Sequence, residues 1–433
     1  MSGSFVIRGG TVCDELGARR EDVVVRDGIV RAAGSAERGG RVLDATGCVV
    51  IPGLVDLHTH VREPGDPAVE SIASAARAAA AGGYTCITVM PNTVPPIDRV
   101  ELVEQVRRAA ARACVDVRIA GCVTERMEGT ALTAFESLAA AGVRYLVDET
   151  RGVPDDATME EAIRRAERAG VLLGAYCLDE SIAGDGVAHD GAVARSLGLA
   201  GIPPAAEESV VERSLALAEA HDARLHLLAV STARSLELIR AAKRRGARVS
   251  AEIAPHHLLL SDEALRSGGA LCKMKPPLRT EADRKAAVRA LADGTVDVVV
   301  TDHAPHSRAS KALAFEQASF GVIGLETALP WVMTGLELEL GDLVERMSTR
   351  PARIGGYREH GGPIAPGRPA NLCVVATDER RRVDVDAFAS RSANSPIAGV
   401  WLTGCVRHTI AAGVPVYVDG AFDQQTFDIQ EAS

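Results

Sequence analysis

The sequence predicts an α/β fold: a (β/α)8 TIM barrel with a small β-sandwich formed by both termini. Three observations predict it. From residue 53 to about 350, eight short apolar or alternating runs recur, each followed by an Ala-, Arg- and Glu-rich stretch with helical spacing. The segments on either side read instead as strand and turn patterns punctuated by glycine. A chain of 433 residues, 47% hydrophobic and 24% charged, also has core enough for a barrel of about 250 residues and a second unit.

Taken in order, residues 1–52 ("FVIRGGTVCDELGARREDVVVRDGIVRAAG") form the first half of the sandwich. The barrel, residues 53–354, has candidate strands at 54–60, 85–91, 116–123, 143–148, 171–177, 224–230, 248–254 and 296–302. Between them, "DPAVESIASAARAAAAGG" and "ATMEEAIRRAERAG" have helical spacing and stop at glycine, as helices often do. Residues 355–433, with "PANLCVVATD" and "GVWLTGCVRHTIAAGVPVYVDG", return to strands and complete the sandwich from the other end. The loop after the eighth strand, "SRASKALAFEQASFGVIGLET", is long enough for a lid, with Gly321 and Gly324 as hinges. The apolar stretch "ETALPWVMTGLELEL" fits either a homo-oligomer contact or packing on its own barrel.

A net charge of −10 argues against nucleic-acid or acidic-membrane binding, both of which need a basic face, and points to a small-molecule substrate. No apolar run of about 18 residues and no signal-peptide layout is present, so the expected location is cytoplasmic. The nine cysteines contain no CxxC, which leaves buried thiols as their expected role.

The chemistry is expected at the C-terminal ends of the barrel strands. His58 and His60 in "VDLHTHVREPG" end the first strand two residues apart, so both imidazoles point the same way. The eighth strand ends in "VVVTDHAPH", where Asp302, His303 and His306 follow an apolar run. A carboxylate there is costly unless paired or bound to a cation. Barrel closure sets strand eight beside strand one, so His58, His60 and Asp302 make a candidate divalent site, with zinc favoured by N and O donors.

Together "PGLVDLHTHVREPG", "AGGYTCITVMPNTVPPID", "EIAPHHLLLSD", "KPPLR", "TDHAPH", "GLETALP" and "GPIAPGRPANLCVVA" closely resemble a bacterial dihydroorotase of the amidohydrolase superfamily, over nearly the whole chain and in the same order. The resemblance implies interconversion of dihydroorotate and N-carbamoyl-L-aspartate, a step of pyrimidine biosynthesis. It makes His58 and His60 metal ligands and Asp302 a ligand that also moves the proton between attacking water and leaving nitrogen. Arg62, Asn92 and His306 become holders of the substrate carboxylate. The strand-four carboxylate ligand falls in "VDET", where Asp148 and Glu149 are both candidates and the spacing to the next strand favours Glu149.

The chain departs from the family pattern at three places. Tyr176 and Ala229 stand where the family has the two histidines that hold a second ion, and Lys275 stands at a substrate-binding asparagine. His226 survives, but an offset of three from Ala229 turns it to the other face of a continuous strand. Lys275 can pair with an anionic substrate group, or neutralise Glu149 or Asp302. The leading expectation is a cyclic amidohydrolase with one zinc ion held by His58, His60, Glu149 and Asp302. Two others stand beside it: an inactive homologue serving as structural partner of aspartate transcarbamoylase, and an amidohydrolase repurposed for another carboxylate-bearing cyclic amide or ureide. Of the remaining candidates, one of His256 and His257 is read as support behind the ligands, His189 as solvent-exposed, and His221, His360 and His408 as surface residues. Tyr176 is read as a plug in the vacated site, and Cys177 as a buried thiol.

Overall fold

The computed structural model describes residues 4–32, 34 and 40–423, so the last ten residues of the second sandwich segment lie outside the described residues. All eight expected barrel strands form: β1 (Leu54–Thr59), β2 (Tyr84–Val89), β3 (Asp116–Gly121), β4 (Tyr145–Leu146), β5 (Leu172–Tyr176), β6 (Leu225–Leu228), β7 (Val249–Ile253) and β8 (Val298–Val299). Each pairs in parallel with its neighbour in sequence, giving one sheet in the order β8 to β1. The connecting helices start and stop on local signals. Ser71 and Ser74 cap Ile72–Ala81 reciprocally, while Asp155 accepts from Thr158 N at the start of Asp156–Ala169, which ends at Gly170 with φ +67°.

The seam between β8 and β1 is closed beyond the regular ladder. Thr59 bridges His303, and His60 N donates to His303 O at 2.8 Å. Asp56, fully buried, accepts from Thr301 N (2.9 Å) and Thr301 Oγ1 (2.6 Å), and also from Thr59 Oγ1. Burial pushes its carboxyl upward in pKa, and the threonine hydrogen bonds oppose that. These contacts set the two strand ends that carry His58, His60 and Asp302 side by side.

Both ends of the chain build the sandwich. One sheet has the order 29–31, 23–26, 5–8 and 41–44. In the other, Val49–Pro52 from the N-terminal segment pairs antiparallel with Leu372–Arg382 from the C-terminal one, Val50 opposite Val374. Ile7, Val12, Val25, Val50, Val374 and Ile410 pack in their shared core. The helix Ala328–Gly335 turns Leu329, Trp331 and Val332 inward, and Thr403 N on the sandwich donates to Thr334 Oγ1 at 2.8 Å, so this apolar stretch packs on its own chain. All nine cysteines are free and only Cys13 is not fully buried. No helix among the described residues is long and apolar enough to cross a membrane.

The loop after β8 is more tightly held than its composition suggests. Lys311, buried, donates through Nζ to the carbonyls of Lys273 (3.2 Å), Ser319 (2.9 Å) and Gly321 (3.0 Å). Lys273 Nζ donates to Phe315 O and Glu316 O and lies 4.3 Å from the Phe320 ring centroid. Two buried ammonium groups thus pin the segment read from sequence as a lid.

Replacing Asp56 with alanine strands a buried backbone N–H and two hydroxyls at the seam, and is expected to cost about 3 kcal/mol. Thermal melting of Asp56→Ala should therefore fall roughly 3–5 °C below the parent. An unchanged melt would mean that strand pairing alone closes the barrel.

Candidate metal and active site

His58 ends β1 with its ring fully buried. Its Nδ1 lies 2.5 Å from Glu252 Oε1 on β7, and Glu252 Oε2 lies 2.9 Å from His226 Nε2 on β6. Burial disfavours charge on His58, yet Glu252 outweighs it and raises the imidazole to about 10. Burial likewise disfavours the Glu252 carboxylate, but the two histidines lower it to about 2. With Nδ1–H donating to Glu252, Nε2 of His58 faces the barrel mouth, buried and without a hydrogen-bond partner among the described residues.

Glu149 Oε1 is 3.9 Å from His58 Nε2, and its Oε2 is 3.9 Å from His60 Nδ1. Asp302 Oδ1 is 3.7 Å from His58 Nε2 and 3.4 Å from His60 Nε2, while Oδ2 is 3.6 Å from His256 Nε2. One donor atom each from His58, His60 and Glu149 lies within 4.8 Å of the other two. Donors bonded to zinc at about 2.0–2.2 Å in a tetrahedron stand about 3.3–3.6 Å apart, so these separations suit one ion after small movements. The unpartnered Nε2 of His58 is the atom such an ion would engage.

The ambiguity in "VDET" has a geometric answer. Asp148 accepts from Val123 N (2.8 Å), Thr124 N (3.1 Å) and Thr124 Oγ1, so it tightens the β3 loop; Glu149 alone turns toward the histidines. Burial raises Asp148 to about 6 and pushes Glu149 upward, against the pull of His60 and His58. Burial also opposes ionisation of Asp302, but His60, His58 and His256 hold it well below the usual carboxylate range.

Arg62 and His306 meet across the seam: Arg62 Nη2 is 3.4 Å from His306 Nε2, and Arg62 Nε donates to Pro305 O at 3.1 Å. Burial and the Arg62 charge lower His306 to about 3, leaving it neutral. Asn92 bridges the ligand candidates, its Oδ1 2.9 Å from His60 Nδ1 and its Nδ2 2.5 Å from Glu149 Oε2. Lys275 does not neutralise Glu149 or Asp302: its Nζ donates to Glu180 Oε1 at 2.6 Å, joining the loops after β7 and β5. Tyr176 packs in an apolar cluster with Leu178, Ala183, Ile202 and Ala206, and burial pushes its phenol well above the ordinary range. Ala229 is buried at φ +48°, left-handed backbone outside β6.

Several histidines are placed differently from the sequence expectation. Strand parity turned His226 away, but β6 ends at Leu228 and the left-handed Ala229 breaks the alternation, so His226 reaches Glu252 inside the barrel. His189 is buried near Arg279 Nη1 (3.4 Å), and His408 is buried with Nε2 at 3.0 Å from Asp44 O. His360, also buried, sits with Cys86 and Asp116 at the barrel floor. There Asp116 Oδ2 accepts from Arg118 Nε (2.7 Å) and lies 3.0 Å from His360 Nε2, so the carboxylate ties Arg118 to His360. Sequence reasoning missed Glu252, although its signal, an acid inside the apolar strand "SAEIA", was the one that drew attention to Asp302.

A protein named dihydroorotase from Streptomyces coelicolor is 42% identical over 425 residues, covering 96% of this chain and 98% of its own length. The chain belongs to the dihydroorotase family. A dihydroorotase from Pelotomaculum thermopropionicum is 40% identical over 424 residues, covering 96% of this chain and 99% of its own, and the family model described as dihydro-orotase-like matches residues 47–235. Among solved structures, an L-hydantoinase (dihydropyrimidinase) from Arthrobacter aurescens superimposes with a TM-score of 0.86 at 25% identity, covering 97% of each chain. A dihydropyrimidinase from Brevibacillus agri, at 23% identity and a TM-score of 0.85 over 97% of this chain and 96% of its own, shares the fold. These relatives place the donor cluster in a dihydroorotase-family barrel.

Because Glu252 orients the His58 ring and fixes its Nδ1–H tautomer, Glu252→Gln is expected to weaken divalent-metal binding about 10–100-fold while the fold is kept. Competition titration against a chromophoric chelator measures it, and equal affinities would remove Glu252 from the site.

Proposed function

We propose that this dihydroorotase-family chain is a cyclic amidohydrolase that opens and closes the dihydroorotate ring, working with one zinc ion held by His58, His60, Glu149 and Asp302. The observation that supports it best is the orphaned Nε2 of His58, with Glu149 and Asp302 oxygens 3.9 and 3.7 Å away, beside an arginine–histidine pair suited to a carboxylate. When bound, such an ion supplies Lewis acidity to the ring carbonyl and acidifies water. The chain's own residues do the rest. Arg62 and the neutral His306 hold the substrate carboxylate through charge-assisted hydrogen bonds. Asn92 keeps His60 and Glu149 in register. Asp302, ionised at rest, takes the proton of the attacking water as the C–O bond forms, then delivers it to the ring nitrogen as the C–N bond breaks. Closure runs the same steps backwards. Residues 1–52 and 355–433 form the sandwich unit in this reading and 53–354 the barrel unit; the enzyme works in the cytoplasm.

Two earlier expectations are separated from this one by the same experiment. Elemental analysis of protein purified without chelator, with dihydroorotate hydrolysis on the same sample, should give about one zinc per chain and turnover. Zinc without turnover favours another cyclic amide or ureide. Neither zinc nor turnover, even after zinc is restored, favours the non-catalytic partner of aspartate transcarbamoylase. In the active protein, Asp302→Asn should lower kcat at least about 1,000-fold with the fold intact, and Arg62→Ala should raise KM for dihydroorotate about 100-fold. Unchanged turnover in either variant sinks that residue's role.

The second-ion reading is testable by reversal. Histidine tolerates left-handed backbone better than alanine, so Ala229 occupies a conformation that would accept it. The double variant Tyr176→His, Ala229→His is expected to raise zinc from about one to about two per chain. If the stoichiometry stays at one, these two substitutions are not what removed the second site.

A further inference from the structure

The segment between the sandwich strands Leu372–Arg382 and Trp401–Ala411 does not stay with the sandwich. It runs to the barrel mouth and touches the loops after β1 and β8, which carry Arg62 and His306. We propose that Asn394 in this segment is a positioning residue that presets the Arg62–His306 pair, so that the sandwich half of the chain sets the affinity for an anionic substrate. The inference rests on the carboxylate-binding reading above.

Asn394 is 3% exposed, and its whole carboxamide is spent on the loop after β8. Oδ1 accepts from His306 N at 3.0 Å; Nδ2 donates to Ala304 O at 2.9 Å and to Gly321 O at 3.1 Å. Its own carbonyl accepts from Ile323 N at 3.1 Å. The Pro305–His306 backbone is therefore gripped from one side by Asn394 and from the other by Arg62, which donates to Pro305 O. Gly321 allows the close packing: at φ +121° a side chain is strained, and a Cβ would sit 2.6 Å from Ala304 Cβ and 3.3 Å from His306 Nε2.

The same segment holds the β1 loop. Ser390 Oγ and Arg391 N donate to the buried carboxylate of Glu70, while Ser392 Oγ donates to Val69 O at 3.0 Å. Glu70 O in turn accepts from Arg62 N at 2.9 Å, and Glu70 Oε2 lies 3.2 Å from Nε2 of His303, the residue after Asp302. From below, Glu326 accepts from Ala389 N and Ser390 N, each at 3.1 Å. Both members of the carboxylate pair thus hang from one short stretch of the C-terminal region. Removing the Asn394 carboxamide leaves the His306 N–H and the Ala304 carbonyl unpaired in a buried place and takes one of two donors from Gly321 O, so the loop must shift to repair them. A shift well under an ångström is enough to spoil a two-residue clamp.

The test uses the full-length, zinc-loaded protein with Asn394→Ala and, separately, Ser390→Ala, which loosens the β1 loop without touching Asn394. Steady-state hydrolysis of dihydroorotate is paired with calorimetric binding of orotate, an inert ring carrying the same carboxylate. For Asn394→Ala, KM and the orotate Kd should each rise about tenfold or more, with kcat within about threefold and zinc content unchanged. Ser390→Ala should move the same way by a smaller factor, and it carries the test alone if Asn394→Ala does not fold. Unchanged KM and Kd in a folded variant, or a fall in kcat or zinc content with KM unchanged, overturns the inference while leaving the functional reading intact. A parent protein that neither hydrolyses dihydroorotate nor binds orotate overturns the functional reading first, and this inference with it.

Discussion

Closure of β8 onto β1 is the constraint on which the site depends. His58 and His60 lie more than 240 positions from Asp302 in the chain, and only the seam brings their nitrogens within 3.7 and 3.4 Å of its carboxylate. The strand ladder contributes little there, since β8 is two residues long. Instead Asp56 gathers Thr301 and Thr59, and His60 N takes the carbonyl of His303. A buried carboxylate is an expensive fastener, justified when several donors converge on it, as three do here. The same seam is clasped from outside by the segment 389–394, so closure and site geometry share one set of contacts.

Charge at the mouth follows from this crowding. Glu252, Glu149 and Asp302 are all buried within reach of His58 or His60. Glu252 and Asp302 are held ionised, and their main protein counter-charge is the His58 imidazole, raised by the acids themselves. Glu149, with no cation in hydrogen-bond contact, is pushed toward its neutral form, and Asn92 donates to it. A divalent cation would reverse that logic: it would ionise Glu149 and release His58 to neutrality, since metal binding and deprotonation of ligands are coupled. The protein surroundings therefore carry a deficit of positive charge at the point where the donors converge.

The fold was legible because periodicity reports local structure. Eight apolar runs alternating with capped helical stretches admit few architectures, and the HxH at one strand end with the aspartate at another followed from where barrel strands terminate. Misplaced residues share a physical reason. His189, His360 and His408 sit in loops or sandwich strands whose burial is decided by distant segments, Arg279, Asp116 and Asp44 respectively, and nothing near them in sequence announces those partners. His226 was misjudged by applying strand alternation across a left-handed residue. Glu70 and Asn394 carried no local signal at all: each is polar at an unremarkable position until the chain ends meet across the barrel.

Backbone and side chain are held by separate contacts at Ala229 and Tyr176. Ala229 keeps a left-handed conformation that an L-residue adopts at a cost of about 1 kcal/mol, while offering no functional atom. The strain persists because the chain there must leave β6 and enter the turn in which Ser231 and Thr232 bond to Glu207, and those contacts do not involve the Ala229 side chain. Tyr176 ends β5 in regular register beside β6, while its phenol is taken up in an apolar cluster with Leu178 and Ile202. The backbone at these two positions is thus held by hydrogen bonds that do not involve their side chains. His58 is likewise held from behind, through Glu252, and its Nε2 has no hydrogen-bond partner among the described residues while it faces Glu149 and Asp302.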